Sequence, residues 1–459
     1  MQNTSHNQTL LSQFMKLLLT PKYFNQKYLS ILENVTTFIL AVVALYMFFY
    51  FLIFWLTVNP SGDDNGVAEG TFGWENLVHY YFNWSGRVLL VTPWIFFCHY
   101  LTIFRIFVFI GYLSLPIAFY ILLNFDDLKN VKNPVNKIVA CIGITALLPH
   151  YMMTDTGIVS TTAYYFIPLL AMLWMYVLLL IKKFSIATAA IVFILSLIAF
   201  NFEQNCLLGL LTLIPLYYSR KVDNKLFVIL VVGGLLSLAN HLTCPGNTAR
   251  FYHEVECCNV EYATYSLFDK LYLGAILFFG RVMHVTQPIS LFLMIAVFIS
   301  ALSLNKNHKI YIFKVLLVVA TFIFYYKSIQ NIPFYWLSSK NEILSTVSFK
   351  FIKYAITFTI LMLLSFFAVN LDRKNLLIFI WIFLSACAVA FSICFSSTIF
   401  RSGVRTTYLS CIIFTLLAMY LLYRSENKVI LSLSNIVLSY LLIFNSEHII
   451  IFDLLAVPD

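Results

Sequence analysis

Phe38–Val58 reads FILAVVALYMFFYFLIFWLTV without one charged residue. About 20 apolar residues at roughly 1.5 Å per residue cross the roughly 30 Å core of a bilayer as a helix. Runs of this kind recur along the chain, and no other feature constrains the fold as tightly. Over 459 residues, 61% are hydrophobic and 11% charged, with a mean hydropathy of +0.87. Soluble domains carry about 25% charged residues. The short-period alternation of a membrane barrel is absent, so the spans are helical. The first run, which the pattern starts near Asn34, is too long for a cleavable signal and no small-residue cleavage site follows it.

The net charge of +9 is topological. Basic clusters separate the apolar runs, as the positive-inside rule expects: Lys16, Lys22 and Lys27, then DDLKNVKNPVNK, IKKF, SRKVDNK, NKNHK, LDRKN and YRSENK. No motif for nucleic acid accompanies them. The expectation is an all-α polytopic membrane protein with about 11–13 transmembrane helices and interfacial helices in its outer loops. Residues 1–33 form a cytoplasmic segment and 34–459 a single transmembrane domain, with a first outer loop at 59–87 and another at 243–270.

The expected spans are Asn34–Val58, part of Val88–Leu123, Ile138–His150, Ala163–Ile181, Ser185–Phe200, Cys206–Tyr218, Phe227–Leu242, part of Leu271–Leu304, Tyr311–Tyr326, Phe351–Asn370, Leu376–Phe395, Thr407–Tyr423 and Val429–Phe444. Val88–Leu123, which holds Arg105, is too long for one helix. Leu271–Leu304 is also too long and is interrupted by Arg281, His284 and TQP. Each is read as a surface helix plus a span.

Alternating the sides of the membrane puts the most polar segments opposite the lysine-rich loops. The first is SGDDNG. Its composition is that of a solvated turn, but Asp63 and Asp64 follow a span directly. A carboxylate at the water–lipid edge, beside a like charge, is suited to general-base work. Adjacent carboxylates can also hold a divalent cation. In NWSGR, Trp84 suits an interface or a sugar face, and Arg87 offers a planar fork for a phosphate or carboxylate. The plainer reading of both is an interfacial anchor.

NFEQN joins two spans and is denser in polar groups than a turn requires. Glu203, Gln204 and Asn205 are candidates for binding sugar hydroxyls. In CPGNTAR, Pro245-Gly246 signals a turn. Asn247 and Arg250 share a side if a helix starts there. His253, Glu254 and Glu256 do not have zinc spacing and read as solvated. Arg401 and Arg405 in FRSGVR run against the positive-inside trend, which points to an anionic partner, either a lipid headgroup or a substrate phosphate. Cys244, Cys257 and Cys258 share one polar loop, where an oxidising compartment would allow one disulfide.

In order and on a common side, GDD, WSGR, NFEQN, CPGN..R and R..R resemble the bacterial membrane glycosyltransferases of the GT-C superfamily, in particular the serotype-converting glucosyltransferases of O-antigen. The resemblance covers nearly the whole chain in layout, through short motifs. It implies a multi-pass enzyme of the bacterial cytoplasmic membrane with an extracytoplasmic active face. Its donor would be a polyprenyl-phosphate sugar, with glucose the expected sugar, and its acceptor a surface polysaccharide. The acidic residue of the first outer loop maps onto Asp63 or Asp64. The large C-terminal soluble domain of some relatives is missing, so no acceptor-binding residue is carried over. In this chemistry the acid takes the acceptor proton, and Arg87, Arg250, Arg401 or Arg405 hold the departing phosphate. One rival is a transporter or flippase of lipid-linked saccharides, which would use groups near the bilayer midplane, with Arg105 and Arg281 as candidates. The other is an O-antigen polymerase or ligase.

Overall fold

The computed structural model describes residues 26–455, apart from 58, 60–61, 69–73, 125–130, 132, 149–156, 220, 259, 284–287, 303–307, 330–348, 368, 370, 399–403 and 425–426. Among these residues every regular element is helical. In chain order they are α1 (Gln26–Thr57), α2 (Asp63–Ala68), α3 (Trp74–Asn83), α4 (Val88–His99), α5 (Leu101–Asn124), α6 (Pro134–Leu147) and α7 (Ile158–Ile181). There follow α8 (Ile186–Phe200), α9 (Glu203–Ser219), α10 (Asn224–Thr243), α11 (Pro245–Cys258) and α12 (Leu267–Arg281). The last are α13 (Pro288–Leu302), α14 (His308–Ile329), α15 (Phe349–Phe366), α16 (Arg373–Phe391), α17 (Tyr408–Tyr423) and α18 (Lys428–Leu455).

Six of the described helices are long and apolar enough to cross a membrane: Lys27–Thr57, Leu101–Asn124, Ile158–Ile181, Asn224–Thr243, Arg373–Phe395 and Arg405–Tyr423. Shorter apolar helices, such as Pro134–Leu147 and Ile186–Phe200, pack among them. The chain is thus an all-α protein of the multi-pass membrane type. Its outer faces carry large apolar side chains in the open, with Phe38 70% and Ile186 84% exposed, as lipid-facing helices do and soluble monomers do not.

At the centre lies α17, from Tyr408 to Tyr423 buried almost throughout. Its Ser410 hydroxyl donates to the Ala386 carbonyl of α16 at 2.8 Å. A lipid environment cannot satisfy a buried hydroxyl, so the neighbouring backbone must. The first and last described helices pack together, with α1 lying along α18. There the Asn435 amide donates to Thr37 Oγ1 at 3.1 Å and Lys428 lies 3.6 Å from Glu33. The helices α8 and α10 approach closely because Gly233 faces Ser196 with no room for a Cβ between them, the usual role of small residues between membrane helices.

Both over-long apolar segments are broken. Tyr100 separates α4 from α5, and α12 gives way to a turn at Val282 and Met283 before α13 begins at Pro288. Arg105 therefore lies about one turn into α5, and Arg281 closes the last turn of α12.

Candidate functional site

The turn after α1 leads into the short helix α2, whose first two residues are Asp63 and Asp64. On a helix, neighbours point in different directions, and here the difference is complete. Asp64 is 0% exposed and Asp63 is exposed. The Asp64 carboxylate accepts from Trp94 Nε1 at 3.0 Å, from the Ser160 N–H at 2.8 Å and from the Val159 N–H at 2.9 Å. The last two are amides in the first turn of α7, which lack partners within their own helix. A carboxylate there also suits the positive end of the helix dipole. The close approach depends on Gly157, which has φ +150 and whose Cβ would lie 2.8 Å from Asp64 Cγ. Asp64 thus fastens α2 to α7 and α4, and leaves Asp63 on the open side.

Arg87 precedes α4 with φ −79 and ψ 38, outside the helical region. Its Nε lies 2.9 and 2.8 Å from the two Glu203 oxygens, and its Nη2 lies 2.6 Å from Oε2. Glu203 opens α9, after the two-residue turn Asn201-Phe202 that ends α8. Burial would raise the Glu203 pKa, but Arg87 overrides it, with His241 and Arg250 adding to the effect, and holds the carboxyl at about 2. Arg87 stays charged. Desolvation opposes that charge, and the Glu203 carboxylate outweighs it. The guanidinium stacks 4.9 Å from the Phe202 ring centroid and 5.5 Å from that of Tyr164.

Tyr164 lies in one π-helical turn of α7, Thr162–Phe166. The extra residue in such a turn re-aims side chains and is frequent at functional sites. Tyr164 and Tyr165 both lie within electrostatic reach of Arg87. Tyr164 is also within reach of Arg250, Tyr80 and Asp63. Tyr80 has its pKa raised by burial, then by the charge of Asp63, then by Cys98. The rings of Tyr80, Trp94 and Tyr164 run in series, with centroids 6.1 and 5.6 Å apart. They form an aromatic floor between the exposed carboxylate and the arginines.

The helix expected after Cys244 starts at Pro245. Gly246 lets it press on the end of α3, because a Cβ there would lie 2.7 Å from the Ser85 nitrogen. Arg250 pairs with Glu254 at 2.5 Å and stacks 5.8 Å from the Trp84 ring, which also packs against His253 at 5.6 Å. Glu254 is not the solvated residue its spacing suggested. It is buried and also accepts from Ser397 Oγ at 3.0 Å, which fastens α11 to the segment after α16.

Asn247 bridges the Gly86 N–H and the His241 carbonyl. Gln204 and Asn205 are buried in the bundle, and the Gln204 amide reaches the Val389 carbonyl at 3.4 Å. Gln204 Oε1 and Asn205 Nδ2 have no partner among the described residues. Arg405 is half-buried in the 3-10 turn Val404–Thr407, and Arg401 lies outside the described residues.

Cys244 and Cys257 are free thiols, Cys244 facing the Tyr81 carbonyl at 3.1 Å, and the Cys258 side chain lies outside the described set. Among the described residues, no three His, Cys, Asp or Glu side chains are grouped as they would be to hold a metal ion.

Three of the five polar segments, NWSGR, NFEQN and CPGNTAR, therefore meet through direct contacts, and GDD is joined to them through Trp94 and the first turn of α7. Sequence reasoning missed Tyr80, Trp94, Tyr164, Ser160 and Asn240, all of which sit inside helices and resemble ordinary filling there. No family model, no curated protein and no solved structure matches the chain.

Proposed function

We propose that this protein is a membrane glycosyltransferase. It moves a sugar, with glucose expected from the family resemblance, from a polyprenyl-phosphate donor to a surface polysaccharide such as O-antigen. The reaction takes place on the extracytoplasmic face of a bacterial cytoplasmic membrane, in a helical bundle of GT-C type with about 11–13 spans. The observation that carries this reading is that Arg87 stacks on Tyr164, whose ring runs in series with Trp94 and Tyr80 toward the helix that carries exposed Asp63, with Arg250 on the neighbouring α11.

The acceptor hydroxyl gives its proton to Asp63 as its oxygen bonds to the sugar's anomeric carbon. The bond from that carbon to the phosphate oxygen breaks, and the electron pair leaves on polyprenyl phosphate. The new charge falls to the arginines. Glu203 occupies the Nε edge of Arg87 and Glu254 the Nε of Arg250, so the carboxylates orient the guanidiniums and other N–H groups face the phosphate. The displacement inverts the anomeric carbon.

One further observation supports the reading. A groove lined by Val88, Leu89, Leu197 and Leu236 on its apolar side and by Asn201, Ser237 and Asn240 on its polar side runs beside Gly86, next to Arg87, where the first part of an isoprenoid chain can lie. Leu89 and Leu236 are both exposed on the outer face of the bundle, which gives a membrane lipid lateral entry.

The test is reconstitution. Purified protein in liposomes is given polyprenyl-phosphate glucose labelled in the sugar, together with surface polysaccharide. Label in the polysaccharide, with equal release of polyprenyl phosphate, supports the reading. Movement of intact donor between leaflets without transfer supports transport instead.

A further inference from the structure

The peptide unit joining Gly86 to Arg87 is gripped from parts of the chain far apart in sequence. Its carbonyl, Gly86 O, accepts from Asn240 Nδ2 at 2.7 Å and from Asn201 Nδ2 at 3.2 Å. Its amide, Arg87 N, donates to Ser85 Oγ at 3.2 Å. The peptide plane before Gly86 is held as well, because the Gly86 N–H donates to Asn247 Oδ1 at 3.1 Å. Asn201 is used twice, and its Oδ1 accepts the Leu89 N–H at 3.1 Å. Asn201 and Gly86 are buried or nearly so, and Gly86 has little room for a side chain, since its Cβ would lie 3.0 Å from Asn240 Nδ2.

We infer that Asn201, Asn240 and Asn247 form an amide clamp that positions Arg87. The physical need is specific. Arg87 lies outside helical geometry, so no helix ladder fixes its backbone. Rotation about its N–Cα bond starts from the plane of the 86–87 peptide, and that plane is held on both edges. Amide side chains suit the task because each carries donor and acceptor together. Asn201 donates to the carbonyl before Arg87 and accepts from an amide after it. The guanidinium is thereby aimed at Glu203 from a fixed root, rather than held only by a flexible side chain meeting a half-buried carboxylate.

The activity arm of the test rests on the transferase reading; the stability arm does not. In the stability arm, thermal unfolding is measured for Arg87→Gln, Glu203→Gln and the double variant, each with and without Asn240→Ala. With Asn240 present, the double variant should lose clearly less than the sum of the two single losses, which is the mark of a coupled pair. With Asn240→Ala, the losses should add. Asn240→Asp, which keeps the shape and loses the donor, should behave as Asn240→Ala.

In the activity arm, Asn240→Ala should lower kcat/KM for the lipid-linked sugar about tenfold, less than the roughly 100-fold that losing an aimed charge contact outright costs, because Arg87 is loosened and not removed. It should change kcat/KM less than twofold when Arg87 is already Gln. Coupling between Arg87 and Glu203 that survives Asn240→Ala undiminished overturns the clamp. So does an equal loss of activity in the Arg87→Gln background. If wild type transfers no sugar, the transferase reading falls and the unfolding data still decide the clamp.

Discussion

Asp63 and Asp64 are adjacent in the chain and opposite in environment. Asp64 is sealed beneath Gly157 with its oxygens engaged by Trp94, Val159 and Ser160, and Asp63 lies on the exposed side of the same short helix. One carboxylate builds the site and the other faces whatever enters it.

Asp64→Asn should therefore act on folding. Its four partners, three N–H groups and the Cys98 thiol, are all donors, and an amide in its place turns a donor of its own toward one of them. Each buried donor left without an acceptor costs about 1–3 kcal/mol. The expected outcome is a large fall in thermal stability and in membrane abundance, measured by fluorescence-detected size exclusion after heating.

Gly157→Ala should be as damaging, from the other side of the same contact. The added Cβ would lie 2.8 Å from Asp64 Cγ and from Ser160 Oγ, at a φ of +150 that side chains rarely adopt. Strained backbone of this kind costs about 1–3 kcal/mol before the clash is counted. The same heating assay should place Gly157→Ala beside Asp64→Asn. Both should stay unstable in the double variant, with less than additive loss, because they break one contact.

The ion pair of Arg87 and Glu203 predicts a pH signature. The Glu203 carboxyl is lowered from 4.5 to about 2 in the folded protein. Its contribution to stability is then complete above pH 4.5 and is lost as pH falls through about 2. Wild type should exceed Glu203→Gln in melting temperature by a constant margin above pH 5, and the margin should shrink between pH 4.5 and 2. A margin that is flat across that range would show that the pair does not depend on the Glu203 charge.

The helical membrane fold was legible because lipid makes a simple demand: long apolar runs with internally satisfied backbones. The meeting of NWSGR, NFEQN and CPGNTAR was legible too, because polar residues at the ends of such runs have few places to go. The division of labour between Asp63 and Asp64 was not. It is decided by Gly157 and the first amides of α7, which are distant in sequence. Tyr164 was hidden for a different reason. An aromatic residue in an apolar run looks like packing, and its place in a π turn under Arg87 is not marked in the sequence. Gln204 and Asn205 belong to a polar turn by sequence, yet α9 begins at Glu203 and carries both into the bundle. Asn240 is a single amide in a helix. Nothing local marks it as a partner of the Gly86 carbonyl.

The measurement that bears most directly on the central claim is sugar transfer by Asp63→Asn. The exchange removes a base and keeps the shape, and transfer is compared at equal membrane abundance with melting measured alongside. Transfer from polyprenyl-phosphate glucose in liposomes, and the sugar pattern of the cell-surface polysaccharide, should fall to the level of a deletion, a loss of roughly 100-fold or more for a missing general base. A well-folded Asp63→Asn protein that transfers sugar at the wild-type rate would contradict the account.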